Sequence, residues 1–444
     1  MLAVPRRLQV LTLVASCSIF LILVFVFGRR RVHGWQLVDP VRGLATYPAP
    51  ETTGHAGANL SAWFDGSWHW ERDSRNRLLN DAQCDQAFPE LFAEIHRGVK
   101  SRREANITRK DVDAVDQKMK GYVRGLIHDG QIYITETAEI IHTRPYAVIQ
   151  AMYRAIVTSP EPIPNIEFTF NTWDSAPSAA TWAFDRHAKD TATWVIPDFG
   201  FWSWPQPKVH SYEEVQRKAL EMEEGGGVHM TLLGPEPNQP WNWDRKKPQL
   251  GWRGALIGDG RTKLFHQTRD KPWADVRELH WGKPSLLKKE LISLDEHCQY
   301  KFLAHTESRG AYSSRLKYIL NCRSVIVMPK LQWVEHFHPL LVSEGPNQNY
   351  VEVKQDYSDV EEKITGLLKD DAEAKRIADN SVKVFRERYL TPAAESCYWR
   401  KLIRAWRSVS YEPEVYEMIG GERRQRGVSA EDWLLERRLK WDAY

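Results

Sequence analysis

Residues 301–329 read "KFLAHTESRGAYSSRLKYILNCRSVIVMP". A short apolar strand ("KFLAHT") gives way to a loop of small and basic residues. An apolar run at helical spacing ("SSRLKYILNC") follows, then a second strand ("SVIVMP"). This order with short connections predicts a parallel sheet, because a strand that re-enters a sheet in the same direction needs a crossover to bring it back. Such sheets take ligands in the crevice outside the carboxyl ends of their strands. The loop "HTESRGAYSS" therefore stands where a ligand would be held.

The alternation continues on both sides. "NYVEVK" predicts another strand and "VEEKITGLLKDDAEAKRIADNSVKVFRERYL" two helices. Upstream, "CDQAFPELFAEIHRGVKSRREAN" and "TRKDVDAVDQKMKGYVRGLIHDG" read as helical, the second opening on a Thr108-x-x-Asp111 cap signal. "QIYITET" and "NIEFTFNTWD" read as strands with the helix "RPYAVIQAMYRAIVTS" between them. The expected fold is α/β with two Rossmann-like lobes, 78–250 and 251–410. A Gly, Ala, Pro and Thr-rich stem at 34–77 precedes them and a charged helical tail at 411–444 follows.

Residues 8–28, "LQVLTLVASCSIFLILVFVFG", carry no charge, and about 20 such residues cross a bilayer as a helix. Residues 1–33 are expected to be a cytosolic tip and a single transmembrane anchor. A cleaved signal peptide is the rival reading; the apolar core is too long for it, and "VFVFGRRR" lacks a small-x-small cleavage site. Arg6 and Arg7 before the stretch and Arg29, Arg30 and Arg31 after it leave orientation open. Sequons at Asn59 ("NLS") and Asn106 ("NIT") fit a secretory lumen. With Cys17 in the anchor, Cys84, Cys298, Cys322 and Cys397 remain. They have no C-x-x-C spacing and form no metal-ligand cluster; they allow three pairings, or four buried thiols. A formal charge of +3 with 27% charged residues excludes the strongly basic profile of a nucleic-acid binder. The nineteen tryptophans, many beside Pro, Gly or charge, read either as core or as a flat wall for a sugar or base.

Two loops carry the candidate chemistry. In the first, Arg309 and Gly310 follow the strand, Ala311, Ser313 and Ser314 keep side chains short, and Arg315 sits in the first turn of the next helix. Free amides, the helix dipole and guanidinium forks suit a diphosphate there. In the second, "GWRGALIGDGRTKL" carries Arg253, Gly254 and Arg261 before another apolar segment. It is neither a Walker loop nor G-x-G-x-x-G. The D-x-D at Asp111 and Asp113 falls at a helix start where acids favour the dipole, so it is not read as a metal site. "DFG" at Asp198 to Gly200 has no H-R-D loop to accompany it and is read as coincidence. Asp174, at the end of the apolar strand "IEFTF", stands where a general base would face a donor.

Together "GWRGALIGDGRTKL", "LDEHCQYKFLAHTESRGAYSSRLKYILNCRSVIVM" and "CYWRKLIRAW" resemble the CAP10-type (capsule-associated) glycosyltransferases of fungi. These are similar to the animal protein O-glucosyltransferases of the endoplasmic reticulum. The resemblance covers roughly residues 78–408. It implies a GT-B arrangement, with 78–250 as the acceptor-side lobe and 251–410 as the donor-side lobe. It also implies inverting transfer from a UDP-sugar without a cofactor or an essential metal. Asp174 matches the strand-end base. Arg261 and Arg315 match arginines at the donor diphosphate, with Gly254, Arg309, Gly310 and Ser314 in the same loops and Arg253 beside them. It implies the bridges Cys298 to Cys322 and Cys84 to Cys397, and with them a lumenal catalytic body in the Golgi or endoplasmic reticulum membrane. Three departures stand out, the first being the basic-loop sequence "GALIGDG", which differs from that of the animal members and leaves sugar specificity open. Asn349-Tyr350 replaces a His-Tyr pair, and the chain ends "KWDAY" where animal members carry a retention signal, so a membrane anchor is expected in its place.

The expected activity is transfer of a sugar, xylose or glucose, from UDP to a hydroxyl of a glycan or protein. The alternative, permitted by Asn349, is a sugar-binding or assembly protein that keeps the fold without turnover. A kinase-like phosphotransferase, the third option, needs a metal site that the sequence does not show.

Overall fold

The structure, a computed structural model, describes residues 64–138, 142–174, 179–206, 208–225, 228–231, 234–237 and 240–438. The apolar stretch at 8–28 and the sequon at Asn59 lie outside the described residues. Among the described residues, no helix is long and apolar enough to cross a membrane.

Five strands form an all-parallel sheet in the order Ala274–Glu278, Lys247–Gly254, Tyr300–Ala304, Val325–Pro329, Val351–Val353. Counted along the chain the order is 2-1-3-4-5. The winding direction therefore reverses between the first and third strands, which is the switch point where such sheets open a crevice. Val325–Pro329 is buried along its whole length, which accounts for the unbroken apolar run "VIVMP" in place of an alternating one. The helices Val360–Lys369 and Asp371–Val384 cover one face through Ile364, Ala374, Ile377 and Ala378, which pack with Trp252, Phe302 and Val327.

A second, mixed sheet has the order Val428–Ser429, Gln131–Thr137, Tyr122–His128, Ile166–Asn171, Trp182–Ala183, Trp194–Val195. Its first three pairings are antiparallel and its last two parallel. Tyr122–His128 lies in the stretch whose charged residues read as helical. The helix there is confined to Arg109–Asp113, capped by Thr108 and Asp111 as signalled. The turn Asp129-Gly130, both residues at positive φ, returns the chain as a hairpin and fixes the register of Gln131–Thr137.

Packing redraws the expected boundaries. Phe64 and Asp73 are already buried and Trp68 donates its indole N–H to the Glu387 carbonyl, so the packed chain begins within the expected stem. The helix Pro392–Ser408, assigned by sequence to the second lobe, packs on the helices Asp81–Ala87, Ala93–Lys100 and Arg144–Val157 of the first. Arg400 on this helix is buried and donates to the carbonyls of Arg77, Leu79 and Ala155 and to the Thr158 hydroxyl. Trp406 meets Trp182 and Trp194 edge-on at 5.5 and 5.3 Å, each pair contributing about 1 kcal/mol beyond its burial. The tail is only partly helical: a hairpin, Tyr416–Ile419 with Glu422–Gln425, and the sheet-edge strand Val428–Ser429 precede the helix Ala430–Arg438.

Two disulfides fasten this arrangement. Cys84–Cys397 joins helices 313 residues apart, and Cys298–Cys322 closes a 24-residue ring around the strand Tyr300–Ala304 and the short helix Leu316–Ile319. Because the entropy that a cross-link removes from the unfolded chain grows with loop length, replacing Cys84 and Cys397 by Ser should lower the unfolding free energy by about 5 to 6 kcal/mol and replacing Cys298 and Cys322 by about 3 kcal/mol. Guanidinium unfolding of the two variants beside the parent chain checks the size and the order.

Candidate active site

The two arginine and glycine loops leave neighbouring strands at the switch point. Lys247–Gly254 runs through Ala255 and Leu256 into the helix Asp259–Thr268, and Tyr300–Ala304 runs through residues 305–315 into Leu316–Ile319. The loops touch at Gly258, whose φ of +98° only glycine adopts readily and whose missing Cβ would lie 3.4 Å from the Arg309 amide nitrogen. At Gly254 a Cβ would strike the Trp252 ring at 2.6 Å and approach the Arg315 guanidinium at 3.2 Å. Glycine at these two positions lets backbone and guanidinium close together.

Arg261 and Arg315 form the electrostatic centre of the crevice. Arg261 is buried and makes one hydrogen bond, from Nη1 to the Ala255 carbonyl at 3.3 Å, while its Nε has no partner. Arg315 stacks over Trp252, 5.4 Å from the ring centroid, and its enclosed Nη1 has no partner either. Among the described residues neither forms an ion pair. Burial, followed by the charge of Arg261, pushes the Arg315 guanidinium down to about 9, and burial lowers Arg261 too. An arginine surrenders its proton with great reluctance. Two buried guanidiniums with unpaired donors therefore call for an anion between them.

Two cavities flank this pair. A cavity of about 440 Å³ is lined by Arg261, Arg315 and Gly254, with apolar and aromatic walls from Trp204, Leu279, Trp281 and Tyr318. His297, held by its Nδ1 contact with the Ser293 carbonyl, lines the same cavity; burial and then Arg315 push it down to about 4, so it is neutral and its unpartnered Nε2 is buried. On the other side of the loop Ala255–Gly258, a cleft of about 1020 Å³ is lined by Arg309, Gly310, Glu307, Trp333 and Tyr357. The tryptophans divide between the two places: Trp182, Trp194 and Trp399 are core, whereas Trp204, Trp281 and Trp333 line the cavities.

Arg253 departs from its expected role. It reaches the rim of the smaller cavity, but all five of its donors are taken, by the carbonyls of Trp252, Asp275 and Glu290, the Asp275 carboxylate and the Tyr300 hydroxyl. Ser314 stands beside Arg315 and accepts from Lys317 through both its carbonyl and its hydroxyl. Asn349 faces the backbone, accepting from Val342 N and donating to the Leu340 carbonyl, both at 2.9 Å. Asp113 of the D-x-D pairs with Arg124 at 2.7 Å. Asn106 is exposed.

Asp174 lies just past the end of Ile166–Asn171, and its Oδ1 accepts from Arg144 at 2.5 Å while the side chain stays 59% exposed. It lines neither cavity. The connection runs through Arg144, whose guanidinium lies 4.6 Å over the Phe199 ring, and Phe199, which meets Trp204 edge-on at 5.3 Å. Beside it His142 is held neutral by burial and by Arg144. Asp185, at the carboxyl end of the neighbouring strand Trp182–Ala183, was not singled out from sequence. Its Oδ2 accepts from Tyr312 N at 3.0 Å and its Oδ1 has no partner. Burial pushes this carboxyl up to about 8 in spite of that bond, and Glu335, Asp174 and Glu307 add to the effect. Its sequence signal was its place, one parallel strand over from Asp174.

Residues 82–419 match the sequence model of glycosyl transferase family 90. The chain is 24% identical over 359 residues to the O-glucosyltransferase rumi of Drosophila melanogaster, covering 71% of this chain and 79% of that one. It is 26% identical over 255 residues to the protein O-glucosyltransferase 1 of Rattus norvegicus, 51% of this chain and 62% of that one. To an O-glucosyltransferase rumi homolog of Aedes aegypti it is 30% identical over 187 residues, 39% of this chain and 44% of that one. The chain thus spans between about two fifths and two thirds of the length of the curated relatives it matches first. With a match that covers most of the chain and includes both arginine loops and the strand that leads to Asp174, the protein belongs to glycosyl transferase family 90.

Proposed function

We propose that the protein transfers a sugar from a UDP-sugar to a hydroxyl of a protein or glycan with inversion at the anomeric carbon. The observation that carries this reading is the pair of buried, unpaired guanidiniums of Arg261 and Arg315 at the switch point of the parallel sheet. A diphosphate supplies the missing anion. As the bond from sugar to phosphate breaks, negative charge grows on the departing UDP, and donors already fixed in place stabilise it without reorganising. The arginines take the part a divalent cation plays in metal-dependent transferases. Arg309, Gly310 and Ser314 complete the donor loop.

Asp174 takes the proton from the acceptor hydroxyl, which attacks the anomeric carbon from the face opposite UDP. Arg144 holds the carboxylate in place, and its exposed side leaves room for an acceptor. The relatives are named O-glucosyltransferases, one of them a protein O-glucosyltransferase, which supports glucose as the sugar and a protein as the acceptor; xylose is the other donor sugar to test. The two sheets correspond to the lobes of a GT-B enzyme in this reading, residues 8–28 anchor it in a Golgi or endoplasmic reticulum membrane, and the body is lumenal. Two disulfides fit that oxidising compartment. Against the alternative of a protein without turnover stand the family and the transferase relatives; Asn349, the departure behind that alternative, holds the backbone of its own loop.

Transfer assayed with a panel of UDP-sugars and protein acceptors tests the reading as a whole. Asp174→Asn should lower transfer by about 100-fold or more, the usual contribution of a general base, and leave UDP affinity within twofold of the parent by calorimetry; full transfer refutes the base assignment. Arg315→Ala and Arg261→Ala should each weaken UDP binding by about 10- to 100-fold, the worth of a charge-assisted hydrogen bond, whereas Arg253→Lys should act mainly on thermal stability. Equal UDP affinity in all three places the diphosphate elsewhere.

A further inference from the structure

We propose that the turn Asp198-Phe199-Gly200 is a positioning element that fixes the donor-side arginine loop and the acceptor-side Asp174 relative to each other. The inference rests on the transferase reading and concerns the one sequence motif set aside as coincidence.

All three residues of the turn work. Asp198 is fully buried and lies 2.7 Å from the buried Lys317 ammonium. It also accepts from the Tyr312 hydroxyl at 3.0 Å and from Gly200 N at 2.8 Å. Lys317 in turn donates to the Ser314 carbonyl at 2.8 Å and the Ser314 hydroxyl at 2.5 Å, one residue before Arg315. Tyr312 is fastened at its other end, through its backbone N–H, to Asp185. The position of the donor loop from Tyr312 to Lys317 is thereby set by two carboxylates of the first half of the chain.

Phe199 acts in the opposite direction. Its ring carries the Arg144 guanidinium at 4.6 Å, and Arg144 holds Asp174 at 2.5 Å. Gly200 is the clearance for the donor side, since a Cβ there would lie 2.7 Å from Lys317 Cε, 2.7 Å from the Tyr318 hydroxyl and 2.8 Å from Lys317 Nζ. A 3-10 turn closed by the Asp198 cap keeps the three residues in fixed relation. The base and the arginine that faces the leaving group are thus hung from two adjacent residues of one rigid turn, and a small misplacement between reacting groups is costly in rate.

Removing one partner of a buried ion pair leaves a lone charge and threatens folding, whereas removing both does not, so the decisive variant is the double one, Asp198→Asn with Lys317→Met. With folding checked by thermal melting, it should bind UDP about tenfold more weakly and transfer at least tenfold more slowly than the parent. Phe199→Leu, which removes the seat of Arg144 alone, should lower kcat about tenfold, move the acidic limb of the pH–rate profile and leave UDP affinity within twofold. A folded double variant with the parent's UDP affinity and kcat overturns the proposal and makes the pair a stabilising contact only; Phe199→Leu lowering UDP affinity as much as kcat overturns it as well. A parent chain that does not bind UDP is a distinct result, which removes the transferase reading before either variant is compared.

Discussion

The helix Pro392–Ser408 is the constraint on which the rest of the structure depends. It brings the chain from the parallel sheet back against the mixed sheet, where Cys84, the carbonyls of Arg77, Leu79 and Ala155, and the Trp182 and Trp194 rings receive it. Buried carbonyls without donors are costly, and Arg400 supplies four donors at once from a single side chain. The mixed sheet is therefore completed only after almost the whole chain has been made. The large hydrophobic core reflects this, running from Phe168 and Trp182 through Trp399 to Leu303 and Ile326 of the parallel sheet.

The parallel sheet was legible because its signal is local. "SVIVMP" is a buried strand whatever surrounds it, and the loop before Arg315 could be placed at a strand end from its spacing; the strand Lys247–Gly254 that leads to the Arg261 loop was not read. The same logic misplaced Tyr122–His128. The charged run before it continued the helical reading, and the turn at Asp129-Gly130 was absorbed into the helix it ends. Arg253 lines the same cavity as its neighbour Gly254, but its donors are committed to partners as far along the chain as Tyr300, which its spacing could not reveal. The partners of Asp198 and Asp185 lie more than a hundred residues away, and nothing at either end announces the pairing.

Charge in the crevice follows one arrangement. Acids and bases that are buried and paired, such as Asp198 with Lys317 and Glu167 with Arg124 and Arg426, hold segments distant in sequence together. The buried arginines at the switch point lack such partners. Arg400 is buried without an ionic partner as well, but carbonyls and a hydroxyl take its donors; Arg261 and Arg315 keep buried donors free beside a cavity.

The Cys298–Cys322 ring gives the donor loop a particular freedom. Its two feet are covalently joined beneath the sheet, and its descending limb is tied at Tyr312, Ser314 and Lys317. The apex, from Glu307 to Gly310, faces the larger cleft. Substitutions at that apex can reshape what the cleft accepts while the arginine on the descending limb stays where it is. A scaffold built in this way lets the shape of the cleft change at a few loop positions while the buried guanidinium beside it keeps its place.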